Sequence, residues 1–235
     1  MKKIFLGISL LLCAALCACA PREKVVIILS TNDIHAQIQN FPQLATAVAE
    51  CRDTASVILV DAGDRWTGNA YVDQAEGRRP VLELMNELGY DVATLGNHEF
   101  DHGQAFLGRM IDSMDFEVVC ANVLSDTCTF PQLPAATIVE RGGVKIGFVG
   151  AVTNYEGPGH PAGNAASFAG LEFPDPQAEA IRRAEELRGR VDVLVLVSHM
   201  GDDRDEELLG RTRLFDLVIG GHTHVLRAQH NPGNV

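Results

Sequence analysis

The sequence predicts an α/β domain preceded by a short export signal. Two features carry the α/β prediction: continuous runs of Val, Ile and Leu alternate with amphipathic stretches, and each run stops abruptly at glycine or a polar residue. A third feature, Asp, His or Asn just past five of those stops, bears on function. Hydrophobic residues make up 46% of the 235, enough for a sizeable core. The length suits one large domain as well as two small ones.

The first residues stand apart from that pattern. Lys2 and Lys3 precede an apolar run, residues 4–20, shorter than the ~20 residues a spanning helix needs. A basic start, an apolar middle and small residues at the end describe an export signal. Leu16-Cys17-Ala18-Cys19 resembles the bacterial lipoprotein cleavage box, and Cys17 fits it less well because Leu16 stands where a small residue is wanted. The resemblance implies removal of residues 1–18 and a lipid on Cys19. That lipid would tether residues 19–235 to a membrane surface, facing the periplasm or the cell exterior, without spanning it. An ordinary cleaved signal without lipid is the alternative.

Loss of residues 1–18 removes two lysines and no acid, leaving 17 basic against 31 acidic residues, a net −14. Such a surface excludes binding to a nucleic-acid backbone, which needs clustered Lys and Arg. It still admits small phosphate esters if metal cations supply positive charge locally. Export permits a disulfide, with Cys120 and Cys128 as the pair. Cys51 is then left over, and the odd thiol leaves the pairing open.

Residues 24–31 read as a central strand, being too continuously apolar for a half-exposed one. A helix over 42–52 begins near Pro42, and a second strand follows at 56–61. Residues 80–88 form a helix with Val81, Leu84, Met85 and Leu88 on one face, closed by Gly89. A strand at 91–95, a helix at 104–114 and a strand at 116–121 continue the alternation. Residues 136–140 and 144–151 read as a hairpin turning at Arg141-Gly142-Gly143. The stretch 153–176 has no clear period and reads as a long functional or disordered loop, with His160 a solvated residue in it. A charged amphipathic helix at 177–188 precedes strands at 192–198 and 215–220, joined through an acidic segment at 202–207.

The polar residues at the strand ends carry the functional argument. Asp33 and His35 follow the first strand, Asp64 follows the second after Gly63, and Asn97 and His98 follow the third after Gly96. His199 ends the strand at 192–198, and His222 and His224 follow the last after Gly220 and Gly221. Open α/β sheets place their ligand sites at these carboxyl ends. Any one of these residues alone would pass for a turn or a core histidine; five coincidences do not. Carboxylate, imidazole and amide oxygen without thiolate suit Zn, Mn or Fe at one or two centres, and argue against a structural cysteine-zinc site.

These residues, as Asp33-Ile34-His35, Gly63-Asp64, Gly96-Asn97-His98-Glu99, His199 and Gly221-His222-Thr223-His224, resemble the five ordered motifs of the calcineurin-like metallophosphoesterases. Ser30-Thr31-Asn32-Asp33, Gly96 through Asp101 and Ser198-His199-Met200-Gly201 are similar to the catalytic domain of the bacterial periplasmic 5′-nucleotidases. The resemblance spans about residues 25–226. It implies a four-layer α/β/β/α sandwich with the metal site at the carboxyl ends of its strands, and two divalent metal ions sharing a hydroxide that attacks phosphorus. Asp33, His35 and His224 would hold one ion, Asn97, His199 and His222 the other, and Asp64 would bridge them. His98 would serve the phosphate and the leaving group, oriented by Asp101, with Glu99 a supporting hydrogen-bond acceptor. Several relatives carry an amide where this chain has His224.

The implied activity is metal-dependent hydrolysis of a small phosphate ester, a nucleoside 5′-monophosphate foremost. A cyclic nucleotide or a nonspecific ester is the near alternative, and a non-catalytic metal-binding lipoprotein subunit the alternative of another class. Family members place a nucleoside-binding domain after the metal domain, whereas this sequence runs eleven residues past His224. The expectation is a C-terminally truncated metal domain whose nucleotide-binding partner domain is missing or separate.

Overall fold

The computed structural model describes residues 24–126, 130–156 and 159–229; the residues read as an export signal, Cys19 and Cys128 lie outside them. In the first half, β1 (Val26–Thr31) leads to α1 (Phe41–Thr54) and β2 (Ser56–Asp61). A single-turn helix α2 (Ala70–Asp73), α3 (Pro80–Leu88), β3 (Val92–Ala93), α4 (Gln104–Ile111) and β4 (Glu117–Val118) follow. The second half holds β5 (Leu124–Ser125), β6 (Ala136–Arg141), β7 (Val144–Val152), β8 (Leu171–Glu172), α5 (Pro176–Leu187), β9 (Val193–His199), α6 (Asp202–Arg211) and β10 (Leu217–Gly220).

The elements assemble into two four-stranded sheets. One is wholly parallel in the order β1-β2-β3-β4. The other runs β10-β9-β7-β6, parallel except for the β6–β7 hairpin. That hairpin turns at Gly142 and Gly143, whose φ values of 59° and 75° suit residues without a Cβ. Ile58, Val60, Val92 and Val119 from one side meet Ile146, Phe148, Val195 and Val197 from the other in a common buried cluster, so the sheets pack face to face. Helices α1, α3 and α4 cover the outer face of the first sheet through Val48, Leu82, Met85 and Leu107. Ala180 and Ala184 of α5, with Leu208 of α6, cover the second. The result is the expected α/β/β/α layering.

At Gly150 the two halves touch backbone to backbone. Ala121 donates its N–H to the Gly150 carbonyl at 2.8 Å, and a Cβ on Gly150 would lie 2.0 Å from the Val119 oxygen. This approach brings the strand ends of both sheets to one edge, where the site lies.

Several elements differ from the sequence reading. The acidic segment expected to be a connection is the helix α6. Asp202, Asp203 and Asp205 occupy its first turn, where the helix dipole favours negative charge, while Leu208 is buried on its inner face. Strands β3 and β4 are two residues each, although their hydrogen bonding runs on through Thr94 N–H to the Asp61 carbonyl and Val119 N–H to the Ala93 carbonyl. The described residues of the stretch 153–176 are packed. Its Phe168 and Phe173 lie 5.3 and 5.7 Å from the Phe100 ring, and His160 stacks on Phe168 instead of standing in solvent. Cys120 is a free, buried thiol pushed up to about 12 by burial, and the expected partner Cys128 falls outside the described residues.

Asp205 is a buried acid that the hydrophobic pattern does not reveal. Ser198 Oγ donates to its Oδ1, and Met200 N–H donates to Ser198 Oγ at 3.2 Å. Burial pushes the Asp205 carboxyl up to about 7, with Asp202 and Asp203 adding to the rise and Ser198 and His199 opposing it. The folded form therefore holds a proton that the unfolded form releases near pH 3.8. This contribution to stability is complete below that point and is lost as pH rises through about 7. Thermal and urea unfolding from about pH 4 to 8 should show wild type losing stability relative to Asp205→Asn by up to about 1.4 kcal/mol per pH unit. Parallel curves would contradict the assignment.

Candidate metal centre

The seven residues Asp33, His35, Asp64, Asn97, His199, His222 and His224 converge at the shared sheet edge, delivered by turns in an uncommon backbone conformation. Asp33, His35, Asp64, His222 and His224 all have φ between 45° and 82°. Such left-handed residues cost on the order of 1–3 kcal/mol each unless the surroundings fix them. Here the strand ends cross-brace one another. Asp33 N–H donates to the Gly63 carbonyl at 2.9 Å, His35 N–H to Asp64 at 3.0 Å and Ala36 N–H to Arg65 at 3.0 Å. His222 N–H reaches the Asp33 carboxylate at 3.0 Å, and His98 N–H reaches Asp64 Oδ1 at 2.8 Å.

The side-chain donors form two adjoining groups. In one, His35 Nε2 lies 3.1 Å from His224 Nε2, which in turn lies 3.4 Å from Asp33 Oδ1. In the other, His199 Nε2 lies 3.0 Å from Asp64 Oδ2, and His222 Nδ1 lies 3.1 Å from Asn97 Oδ1. Asp64 Oδ2 is also 3.9 Å from His35 Nε2, so this one carboxylate touches both groups. Within each of the triads Asp33–His35–His224 and Asp64–His199–His222, the ligand atoms lie within 4.8 Å of one another.

The imidazole partners decide whether these donors fit a cation. His35 Nδ1 faces the Thr67 carbonyl at 3.1 Å, and His199 Nδ1 faces the Ala62 carbonyl at 2.7 Å. A backbone carbonyl only accepts, so both Nδ1 atoms carry a proton, and in the neutral ring each Nε2 turns a lone pair inward. His199 Nε2 is buried with no hydrogen-bond partner despite its closeness to Asp64. Inward lone pairs facing carboxylate and amide oxygens, with a buried nitrogen left unsatisfied, suit divalent cations of the Zn, Mn or Fe type. Burial disfavours charge on Asp64 and His199 alike, yet each stabilises the charged form of the other. Asp64 is held down and His199 raised.

His98 stands beside this set. Its Nδ1 is 2.7 Å from Asp101 Oδ2, and Thr67 Oγ1 donates to the same oxygen at 2.9 Å. The Asp101 hydrogen bond raises the proton affinity of His98 against the opposing effect of burial. A ring nitrogen of His98 also lies within 4.8 Å of donors on His35 and Asp64, so the pair overlooks both groups.

Beneath Asp64 is a network that the sequence only partly disclosed. Glu99 accepts backbone N–H groups from Asp64 at 2.8 Å, Arg65 at 2.9 Å and Gly96 at 2.5 Å. The expected supporting role for Glu99 is thus visible, as a tie between two loops. Arg65, wholly buried, donates Nε to Asp61 Oδ1 at 3.0 Å and an Nη to the Thr94 carbonyl. Gly96 is required by closeness, since a Cβ there would lie 2.2 Å from Asp64 Oδ1. Glu156, also unforeseen, lies 3.0 Å from His222 Nε2; it comes from the aperiodic stretch 153–176, where nothing in the pattern marked it.

The comparisons with known proteins agree with this geometry. The chain belongs to the calcineurin-like phosphoesterase family, whose model matches residues 27–226. A snake venom 5′-nucleotidase from Gloydius brevicauda is 31% identical over 94% of this chain and 40% of its own length. The structure of a 5′-nucleotidase precursor from Thermus thermophilus aligns with a TM-score of 0.68 at 26% identity, covering 86% of this chain and 42% of that one. That of an NAD nucleotidase from Haemophilus influenzae aligns at 0.74 and 23% identity, covering 88% and 44%, and shows the shared fold. The chain therefore spans about 40% of the length of the snake venom relatives it matches.

Glu99→Ala would strip acceptors from three backbone N–H groups and remove a carboxylate 3.8 Å from the buried Arg65 Nε. Urea unfolding should report a loss of about 3–5 kcal/mol, the range for breaking a buried ion pair. A loss below about 1 kcal/mol would show that the tie is dispensable.

Proposed function

We propose that this domain hydrolyses phosphate monoesters with two divalent metal ions, and that its substrates are nucleoside 5′-monophosphates. The observation that carries the proposal is the convergence of seven oxygen and nitrogen donors into two groups joined at Asp64. Asp33, His35 and His224 hold the first ion, Asn97, His199 and His222 the second, and Asp64 lies between. Ions held there would neutralise the phosphoryl oxygens and activate water for in-line attack. With its Nδ1 on Asp101, His98 keeps Nε2 free to stabilise the phosphoryl charge and to protonate the departing alkoxide.

The nucleotide preference rests on the 5′-nucleotidase relatives, and nucleoside recognition is assigned to a domain outside these residues. In the same reading residues 1–18 are a cleaved signal and Cys19 carries lipid, which places the domain on a membrane facing the periplasm or the cell surface. Among the described residues no helix is long and apolar enough to cross a membrane. In this reading the tether is the lipid on Cys19, and Cys19→Ala should move the protein into the soluble fraction.

Phosphate release from a panel of nucleoside 5′-monophosphates, cyclic nucleotides and aryl phosphates tests the activity. The full-length, metal-loaded protein should favour the 5′-monophosphates and lose turnover when chelated. His98→Ala should lower kcat by about 10²–10⁴ while leaving metal content intact. A metal-loaded protein that releases no phosphate from any of these esters would overturn the proposal.

A further inference from the structure

Three of the clustered imidazoles share one construction: a nitrogen in the cluster, and the opposite nitrogen tied to an oxygen outside it. For His35 the outer oxygen is the Thr67 carbonyl, and for His199 it is the Ala62 carbonyl. For His222 the polarity is reversed. Its Nδ1 faces Asn97 Oδ1, and its Nε2 faces Glu156 Oε1 at 3.0 Å. Glu156 is in turn held at the end of β7. Thr153 Oγ1 donates to its two carboxylate oxygens at 2.7 and 2.8 Å. Thr153 is wholly buried, and its N–H donates to the His199 carbonyl at 3.0 Å.

We infer that Glu156 is a positioning residue that fixes His222 in its Nε2–H tautomer and so presents Nδ1 as a lone pair to the second metal position. Both oxygens facing the ring are acceptors, but the charged carboxylate binds an N–H more strongly than the Asn97 amide oxygen, so the single proton of the neutral ring sits on Nε2. That leaves the other nitrogen free to coordinate beside Asn97. Without Glu156 a partly exposed imidazole would divide between tautomers, and the fraction with Nδ1–H could not bind a cation there. Partners of this kind to ligating histidines change metal affinity by about 10–100-fold when removed. Glu156 is the one such tie supplied by a side chain among these three histidines, which makes it removable by substitution. The inference rests on the two-metal reading above.

The test compares wild type, Glu156→Ala and Glu156→Gln, with Thr153→Val as a variant that removes the hydroxyl anchoring the carboxylate. Nitrogen-15 NMR of the histidine rings in metal-free protein at alkaline pH reads the tautomers, and calorimetric titration with Mn²⁺ reads affinity. Wild type should show His222 protonated at Nε2. Glu156→Ala should shift His222 toward the Nδ1–H form and weaken one Mn²⁺ site by about 10–100-fold, with the His199 tautomer and the melting temperature unchanged. Glu156→Gln, which can still accept through Oε1, should recover most of the tautomer and part of the affinity. Thr153→Val should move both readouts in the direction of Glu156→Ala. An unchanged His222 tautomer in Glu156→Ala would overturn the inference, even with weakened Mn²⁺ binding, because Glu156 would then act as a ligand itself. A shifted tautomer with affinity within about twofold of wild type would overturn it equally. Wild-type protein that binds no Mn²⁺ would overturn the two-metal reading and this inference with it.

Discussion

The site depends first on one buried carboxylate. Glu99 gathers the N–H groups of Asp64, Arg65 and Gly96, which belong to the turns after β2 and β3. Those turns need such a tie to stay in register, because Asp64 is left-handed and Gly96 admits no side chain. A neutral acceptor could serve only part of this arrangement. The charge also suits the buried Arg65 guanidinium, which spans Glu99, Asp61 and the Thr94 carbonyl. Beneath the donor cluster there is thus a buried, ion-paired network, and Asp64 is carried on it.

The donors above that network are arranged as cation ligands. Imidazole nitrogens face one another at His35 and His224, and an amide oxygen faces an imidazole at Asn97 and His222. Carbonyl partners on the far sides of His35 and His199 hold a proton on each Nδ1, so that the neutral rings turn their inner lone pairs toward the cluster. A protein selected only for stability would not gather lone pairs in this way, nor hold five residues in left-handed backbone to do so. A cation reconciles both features, and the layout of Asp64 between the groups suits two.

Much of the fold was legible in the sequence because parallel strands buried on both faces must carry unbroken apolar runs, as β2 and β9 do before their polar ends. The strand-end positions of Asp33, Asp64, Asn97, His199 and His222 were legible for the same reason: each follows an unmistakable run. What escaped lacked periodicity. Helix α6 buries Leu208 and Asp205 beneath a face of acids, so its pattern reads as a charged connection. The burial of Arg65 could not be read from a charged residue in a turn. Glu156 sits in a stretch held by the packing of Phe168 and Phe173 around Phe100, a tertiary contact with no local signature.

Whether these seven donors form a two-ion site can be read from crystals of the full-length protein grown with Mn²⁺ and measured at the manganese absorption edge. Two anomalous peaks should appear, about 3.5–4 Å apart, with Asp64 contacting both. A single peak, or peaks away from Asp64 and His199, would contradict a two-ion site there.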